Sequence, residues 1–305
     1  MSRFGPCVLL FFALSTSALA DSRIECGSLA SKILHRAVRY CTLLPPSYDS
    51  DTQRRFPVLY FLHGLGDNEQ SLINTAGWNL IEDLREQGRI GDFIVVTPAA
   101  GRSFYVNSYD GRTRYSDFFI REFIPAIERK YRIRANAASR AIGGVSMGGY
   151  GALRFAFAYP HLFSSVSAHS AALLPQPVEK LRNAMNASPR MSALLGDVFG
   201  RPIDTAYWAQ NSPFVLVDKY HSEIAHLKIY FDCGRSDEYG FNEGAQALHE
   251  KLDALRIRHE SYIYAGNHGL VSFLEHLPAS MEFHSRAFGA KSNAAGRGIP
   301  AKMEP

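Results

Sequence analysis

The sequence predicts an α/β domain built on a mostly parallel sheet with helices on both faces. Three observations carry that expectation. Short, continuously apolar runs, at residues 57–62 and 93–97, read as strands buried on both faces. They alternate with longer segments whose apolar residues recur at helical spacing. A serine, an aspartate and a histidine fall in loops directly after such runs, where open α/β sheets place their sites.

Residues 1–20 carry Arg3, an apolar run from Val8 to Leu14, and Ala18-Leu19-Ala20. That is the order of an export signal, with cleavage expected after Ala20 and a secreted or periplasmic mature chain. The run is too short to span a bilayer, and no later stretch is long and apolar enough to do so. Residues 24–32 and 37–44 read as two antiparallel strands joined near Leu34-His35, ended by Pro45-Pro46. The buried strand at 57–62 opens into a glycine-containing loop, and a helix is expected over 70–86. The next buried strand is closed by Pro98, and 99–115 reads as a long loop. Ser116 can cap a helix to about Tyr131, with Phe119, Phe123, Ile127 and Tyr131 on one face and a bend at Pro125.

A further strand, turn and helix follow at 141–158, ended by Pro160. A short strand is expected at 164–167. From 169 to 226 the pattern loosens around five prolines and reads as an insertion carrying short helices. Its place in the order of strands would set it over the site. Residues 227–233 read as a strand, 241–255 as a helix, 259–264 as the last strand and 271–287 as a final helix. The main domain is therefore 21–287. The tail 288–305 is Gly, Ala, Lys and Pro without period and reads as disordered.

The formal charge is +4. It is mild, and no dense Lys/Arg run supports binding to nucleic acid or to a membrane surface. Cys7 leaves with the signal. Export permits a disulfide, and Cys26 and Cys41 flank the first hairpin. Three unpaired thiols, with Cys233, are the open alternative. No Cys/His spacing resembles a zinc site.

The chemistry centres on Gly144-Val145-Ser146-Met147-Gly148. An apolar run precedes it and a helix-forming run follows. That is the pattern of a nucleophile elbow, with serine at the apex of a strained strand-to-helix turn. A serine hydroxyl needs a base in hydrogen-bond reach, and the base needs an acid to orient it. The loop after the 227–233 strand offers Asp237, with Asp232 and Glu238 as competitors. The loop after the last strand offers His268. His169, also at a strand end, is the other candidate base, while His249, His276 and His284 sit on helices. An oxyanion needs two backbone donors. Met147, after the nucleophile, and Leu65, in the loop His63-Gly64-Leu65-Gly66, are the expected pair, with Gly64 second to Leu65. His63 and Asp67 would brace that loop.

These loops together resemble the esterase D family of α/β-hydrolases. The matching stretches are Leu43, Pro45, Pro46 and Tyr48, then His63-Gly64-Leu65-Gly66-Asp67-Asn68, then Gly144 to Ala152. Asp232-Cys233-Gly234-Arg235-Ser236-Asp237 and Gly266-Asn267-His268 complete the set, over about 24–287. The resemblance implies the α/β-hydrolase fold with Ser146 as nucleophile, Asp237 as acid and His268 as base. It implies a serine carboxylesterase acting on small-molecule or carbohydrate esters, without cofactor or metal. Feruloyl or acetylxylan esterase and acyltransferase activities run on the same three residues. Gly269-Leu270 replace an aromatic common after the histidine in the family. The Thr-Cys frequent in S-formylglutathione hydrolases is missing from the 63–66 loop. That departure, with the export signal, speaks against a cytosolic glutathione-ester role. A surface binding protein with an idle fold is the reading from another class. Trp78, Phe104, Tyr105, Tyr109, Tyr207 and Trp208 are the aromatics that could wall a pocket.

Overall fold

The structure, a computed structural model, describes residues 22–174 and 189–290. The expected export signal, most of the expected tail and the middle of the 169–226 insertion lie outside the described residues. Among the described residues, eight strands form one sheet in the order β1-β2-β4-β3-β5-β6-β7-β8. They are β1 (Arg23–Ser31), β2 (Arg36–Leu44), β3 (Val58–Leu62), β4 (Ile94–Pro98), β5 (Arg140–Val145), β6 (Ser165–His169), β7 (Lys228–Gly234) and β8 (Glu260–Tyr264). β2 pairs antiparallel with both β1 and β4, and the remaining pairs are parallel. Cys26 and Cys41 face each other in the β1–β2 register and are joined by a disulfide. Cys233 is a buried free thiol.

β3 is buried along its whole length. Its side chains alternate between two apolar layers, as a strand's period of two requires. Val58, Tyr60 and Leu62 join the larger core, while Leu59 and Phe61 join the second. The larger core packs under helices α2 (Ile124–Lys130), α3 (Met147–Ala158), α6 (Pro213–Ile224) and α7 (Phe241–Ala254). The second lies under α1 (Gly77–Glu86) and α8 (Leu270–Ala287). Between α3 and β7 the described chain also forms α4 (Pro189–Phe199) and α5 (Thr205–Asn211). Among the described residues no helix is long and apolar enough to cross a membrane.

Two helices differ from expectation. The helix expected over 70–86 is broken into Ser71–Asn74 and α1, with Ala76 left-handed at φ 61°. Gly77 sits so close to Leu72 that a Cβ there would lie 2.9 Å from its side chain. The chain folds back on itself at that contact instead of continuing one helix. The bend expected at Pro125 is present as a wide turn, a π-helix over Phe119–Phe123, which delivers the proline to the first turn of α2. The wider turn absorbs the hydrogen bond that proline cannot donate.

Behind the sheet, α8 buries His284 completely. Its Nδ1 lies 2.8 Å from the Ser165 hydroxyl and its Nε2 2.9 Å from that of Ser167. Those serines stand two apart on β6 and so share a face. Burial, with His169 and Arg286 nearby, pushes the imidazole down to about 3. In the unfolded chain it titrates near ~6.5. Between those values the unfolded chain binds a proton that the folded chain refuses, so stability falls as pH drops through that window. His284→Gln should remove that share of the acid loss. Urea unfolding at steps from about pH 7 to about pH 4.5 should show a shallower slope, the difference growing to about 1.4 kcal/mol per pH unit below about pH 5.5. An unchanged slope would mean that His284 is protonated in the folded state.

Candidate active site

The residues of the expected site all lie at the carboxyl ends of parallel strands. Ser146 sits between β5 and α3 with φ 56° and ψ −116°, a strained turn for a residue with a Cβ. Neighbouring backbone holds it there. Its N–H donates to the His169 carbonyl at 2.8 Å, and its own carbonyl accepts from Tyr150 at 3.0 Å and Ala172 at 3.1 Å. The two glycines are required by close approach. A Cβ on Gly148 would stand 2.0 Å from the Leu62 carbonyl oxygen, and one on Gly144 would stand 2.5 Å from the Gly148 backbone. Helix and strands touch backbone to backbone.

His268, in the loop after β8, places Nε2 2.9 Å from Ser146 Oγ. Its Nδ1 is 2.7 Å from Asp237 Oδ2. The backbone N–H of Tyr239 donates to Asp237 Oδ1 at 2.9 Å, and that of Phe241 reaches the same oxygen at 3.4 Å. Burial pushes the Asp237 carboxyl up. The hydrogen bond and charge of His268, with those two amides, outweigh burial and hold it below the usual carboxylate range. The Asp237 side chain is fully buried, whereas His268 keeps 16% of its side chain exposed. Asp237 is thus shielded while His268 still meets solvent.

The competitors go elsewhere. The Asp232 carboxylate binds His169 Nδ1 at 2.9 Å, His169 Nε2 meets Ser280 Oγ at 2.7 Å, and Tyr230 donates to Asp232 at 2.7 Å. His169 and Asp232 are almost wholly buried. Glu238 accepts the backbone N–H of His268 at 3.0 Å. It therefore steadies the base's loop and not its ring. His276 stacks on Tyr264.

The loop after β3 carries the expected oxyanion donor Leu65. His63 braces it. Its Nδ1–H donates to the Gly64 carbonyl at 2.7 Å, and its Nε2 accepts the Ala100 N–H at 2.9 Å. Tyr105 donates to the His63 carbonyl at 3.0 Å. Burial lowers the His63 pKa, against the opposing pull of the Gly64 carbonyl. A neutral ring, one nitrogen donating and one accepting, fits those partners. Met147 opens α3, where the first N–H groups have no partner within the helix.

A cavity of about 190 Å³ opens beside Ser146. Phe61, Leu72, Val145, Leu270 and Phe273 give it apolar walls, and Leu65, Asp67, Ser71 and Thr75 line it as well. These walls come from the 61–75 region, the elbow, and the His268 loop with the first turn of α8. The described part of the insertion meets the elbow at Ala172, whose N–H donates to the Ser146 carbonyl at 3.1 Å, and α3 at Tyr150, which donates to the Asn211 carbonyl at 2.8 Å. Phe104, Tyr105 and Trp208 are buried in the larger core, and Tyr109 packs edge-on against Tyr207. Trp78 packs on the second core. None of them lines this cavity. Sequence reasoning missed Tyr239 and Phe241, whose rings lie 4.9 and 5.3 Å from that of His268. Their only sequence signal was their place directly after the acid.

Residues 31–284 match a family model described as Putative esterase. The chain belongs to that esterase family. Esterase Rv1288 of Mycobacterium tuberculosis is 32% identical over 246 residues, 74% of this chain and 51% of that protein. The chain thus spans about half the length of that relative. An acetyl esterase of Caldicellulosiruptor saccharolyticus is 27% identical over 218 residues, covering 68% of this chain and 78% of that one. A solved structure titled ferulic acid esterase superposes with a TM-score of 0.76 at 24% identity, covering 88% of this chain and all of its own. Likeness at that level speaks to the fold, which is the α/β-hydrolase fold of these esterases.

In this esterase-family domain the Gly148 contact should tolerate no side chain. Gly148→Ala forces a methyl into the Leu62 carbonyl, with no flexible atom to give way. The expected loss is at least about 3 kcal/mol of stability, at the upper end of the usual range for overpacking. Thermal and urea unfolding of the purified variant would measure it. A variant as stable as wild type would mean that α3 and β3 do not meet as described.

Proposed function

We propose that this chain is an exported serine carboxylesterase acting on esters of small acyl groups. The observation that supports it most is the continuous line Ser146–His268–Asp237, at 2.9 and 2.7 Å. In this reading His268 Nε2 takes the proton of Ser146 as its Oγ attacks the ester carbonyl. Asp237 keeps the other ring nitrogen protonated and stabilises the cation that forms. The N–H groups of Leu65 and Met147 receive the oxyanion. His268 then gives its proton to the departing alcohol, and a water activated in the same way releases the acid from Ser146.

The cavity sets the acyl group. At about 190 Å³ it holds roughly six waters' volume, enough for acetyl to butyryl or for one aromatic ring. Longer chains would project into solvent. The acetyl esterase among the relatives agrees with the first choice. A phenolic acyl group, as on feruloyl sugars, is the second reading, because Phe61 and Phe273 line the cavity and can pack on a ring. Export rests on residues 1–20 and is supported by the Cys26–Cys41 disulfide, a bond suited to an oxidising compartment.

Ser146→Ala should lower kcat/KM at least about 10³-fold with an unchanged Tm, and should abolish labelling by a fluorophosphonate. Asp237→Asn should cost about 10²- to 10⁴-fold, while Asp232→Asn should chiefly lower Tm. An Asp232→Asn enzyme that loses activity at unchanged Tm, beside an active Asp237→Asn enzyme, would reverse the assignment of the acid.

A series of nitrophenyl esters from two to sixteen carbons, with methyl ferulate alongside, tests the acyl preference. The highest kcat/KM should fall at two to four carbons. An optimum at twelve or more would sink the small-acyl reading, and methyl ferulate far ahead of the short esters would select the second one.

A further inference from the structure

We propose that His249, Asp253 and His259 form a binding site for a divalent transition metal, separate from the Ser146 site. His249 and Asp253 stand one turn apart on α7, and His259 lies just before β8. One ligand atom from each lies within 4.8 Å of the other two. The group sits at the amino end of β8, whereas His268 follows its carboxyl end.

With both rings neutral, the hydrogen bonds decide which nitrogens carry protons. A carbonyl only accepts, so His259 Nδ1, 2.8 Å from the Ile257 carbonyl, is protonated and its Nε2 carries the lone pair. His249 Nδ1 lies 2.8 Å from that Nε2 and donates to it. The proton on Nδ1 leaves His249 Nε2 with a lone pair as well. That nitrogen faces Asp253 Oδ2 at 3.6 Å, while His259 Nε2 is 3.9 Å from Asp253 Oδ1. The three side chains thus bring ligand atoms within 4.8 Å of one another, and a cation bound there would replace the hydrogen bond between His249 and His259.

Each ring also has the outer support that metal-bound histidines use. His259 keeps its bond to the Ile257 carbonyl, and its ring stacks on Phe231 at 5.7 Å. When a metal takes the lone pair of His259 Nε2 in place of the His249 proton, His249 Nδ1–H retains Ser261 Oγ, already 3.2 Å away. The two histidine side chains are 11% and 3% exposed, so their rings are held, while Asp253, 58% exposed, is free to swing in. Two imidazoles and one carboxylate suit zinc and its neighbours rather than calcium or magnesium. Three protein ligands leave a fourth position for water. The ion would tie the end of α7 to the start of the edge strand β8. No proton transfer at Ser146 passes through it.

The test uses untagged full-length protein stripped with chelator and dialysed. Zinc titrated calorimetrically should bind at one ion per chain, and zinc at about 100-fold over its Kd should raise Tm by about 5 °C. Calcium should do neither. Asp253→Asn, which changes an exposed side chain, and His259→Gln should each weaken binding at least ten-fold and erase the Tm shift. His221→Ala, at an exposed position on α6, should change nothing. The metal-free Asp253→Asn protein should keep wild-type esterase activity, so this result stands apart from the reading of Ser146. No zinc binding by wild type, or equal binding by wild type and Asp253→Asn, would overturn the site.

Discussion

The structure turns on a contact without side chains, the approach of Gly148 to the carbonyl of Leu62. A Cβ at Gly148 would lie 2.0 Å from that oxygen. Because the backbones meet there, α3 starts directly beside the ends of β3 and β5. Ser146 is then forced to φ 56°, and the first N–H groups of α3 are brought beside the loop that follows β3. A larger residue would push the helix away and separate the serine from the Leu65 loop. The small cavity, the strained serine and the braced loop all follow from how near two pieces of backbone can come.

The same residue types occur twice at the ends of these strands, with different fates. Asp237, His268 and Ser146 line up with a ring that meets solvent. Asp232, His169 and Ser280 line up at similar distances, but His169 and Asp232 are almost completely buried under α8. A buried carboxylate and imidazole are costly unless paired, and here Tyr230 and Ser280 complete the pairing. No ester can reach that second line. It supports the first indirectly, since the carbonyl of His169 holds the N–H of Ser146 at 2.8 Å. Solvent access, not composition, separates a candidate catalytic line from a structural one.

Shielding is divided within the candidate site too. The Asp237 carboxyl is fully covered and held ionised by three donors. His268 is covered on its flanks by Tyr239 and Phe241 but open at the serine. A low-dielectric setting strengthens the Asp237–His268 hydrogen bond, and the His268 edge at Ser146 stays open. The cavity beside them is walled by the ends of β3 and β5, the loop after β3 and the start of α8.

Much of this was legible in the sequence because it is local. Apolar runs buried on both faces mark strands wherever they occur, and the eight-stranded sheet follows from their alternation with helices. Gly144, Ser146 and Gly148 announce the elbow, since only glycine permits that approach. The order Ser146, Asp237, His268, each after a strand, points to one end of the sheet. What the sequence left open depends on residues far apart in the chain. Asp232 and Asp237 are five apart in one strand–loop segment, and only the β6–β7 register, which sets Asp232 opposite His169, assigns the first to that histidine. The Cys26–Cys41 bond needed the β1–β2 register to put the two sulfurs face to face. The break at Ala76 arises because Leu72 and Leu277 crowd Gly77, a contact with a helix two hundred residues away. The convergence of His249, Asp253 and His259 was hidden for the same reason, because the turn between α7 and β8 sets it. Periodicity and motifs report what a segment wants locally; which donors meet which acceptors, and which of them water can reach, is settled only when the layers pack.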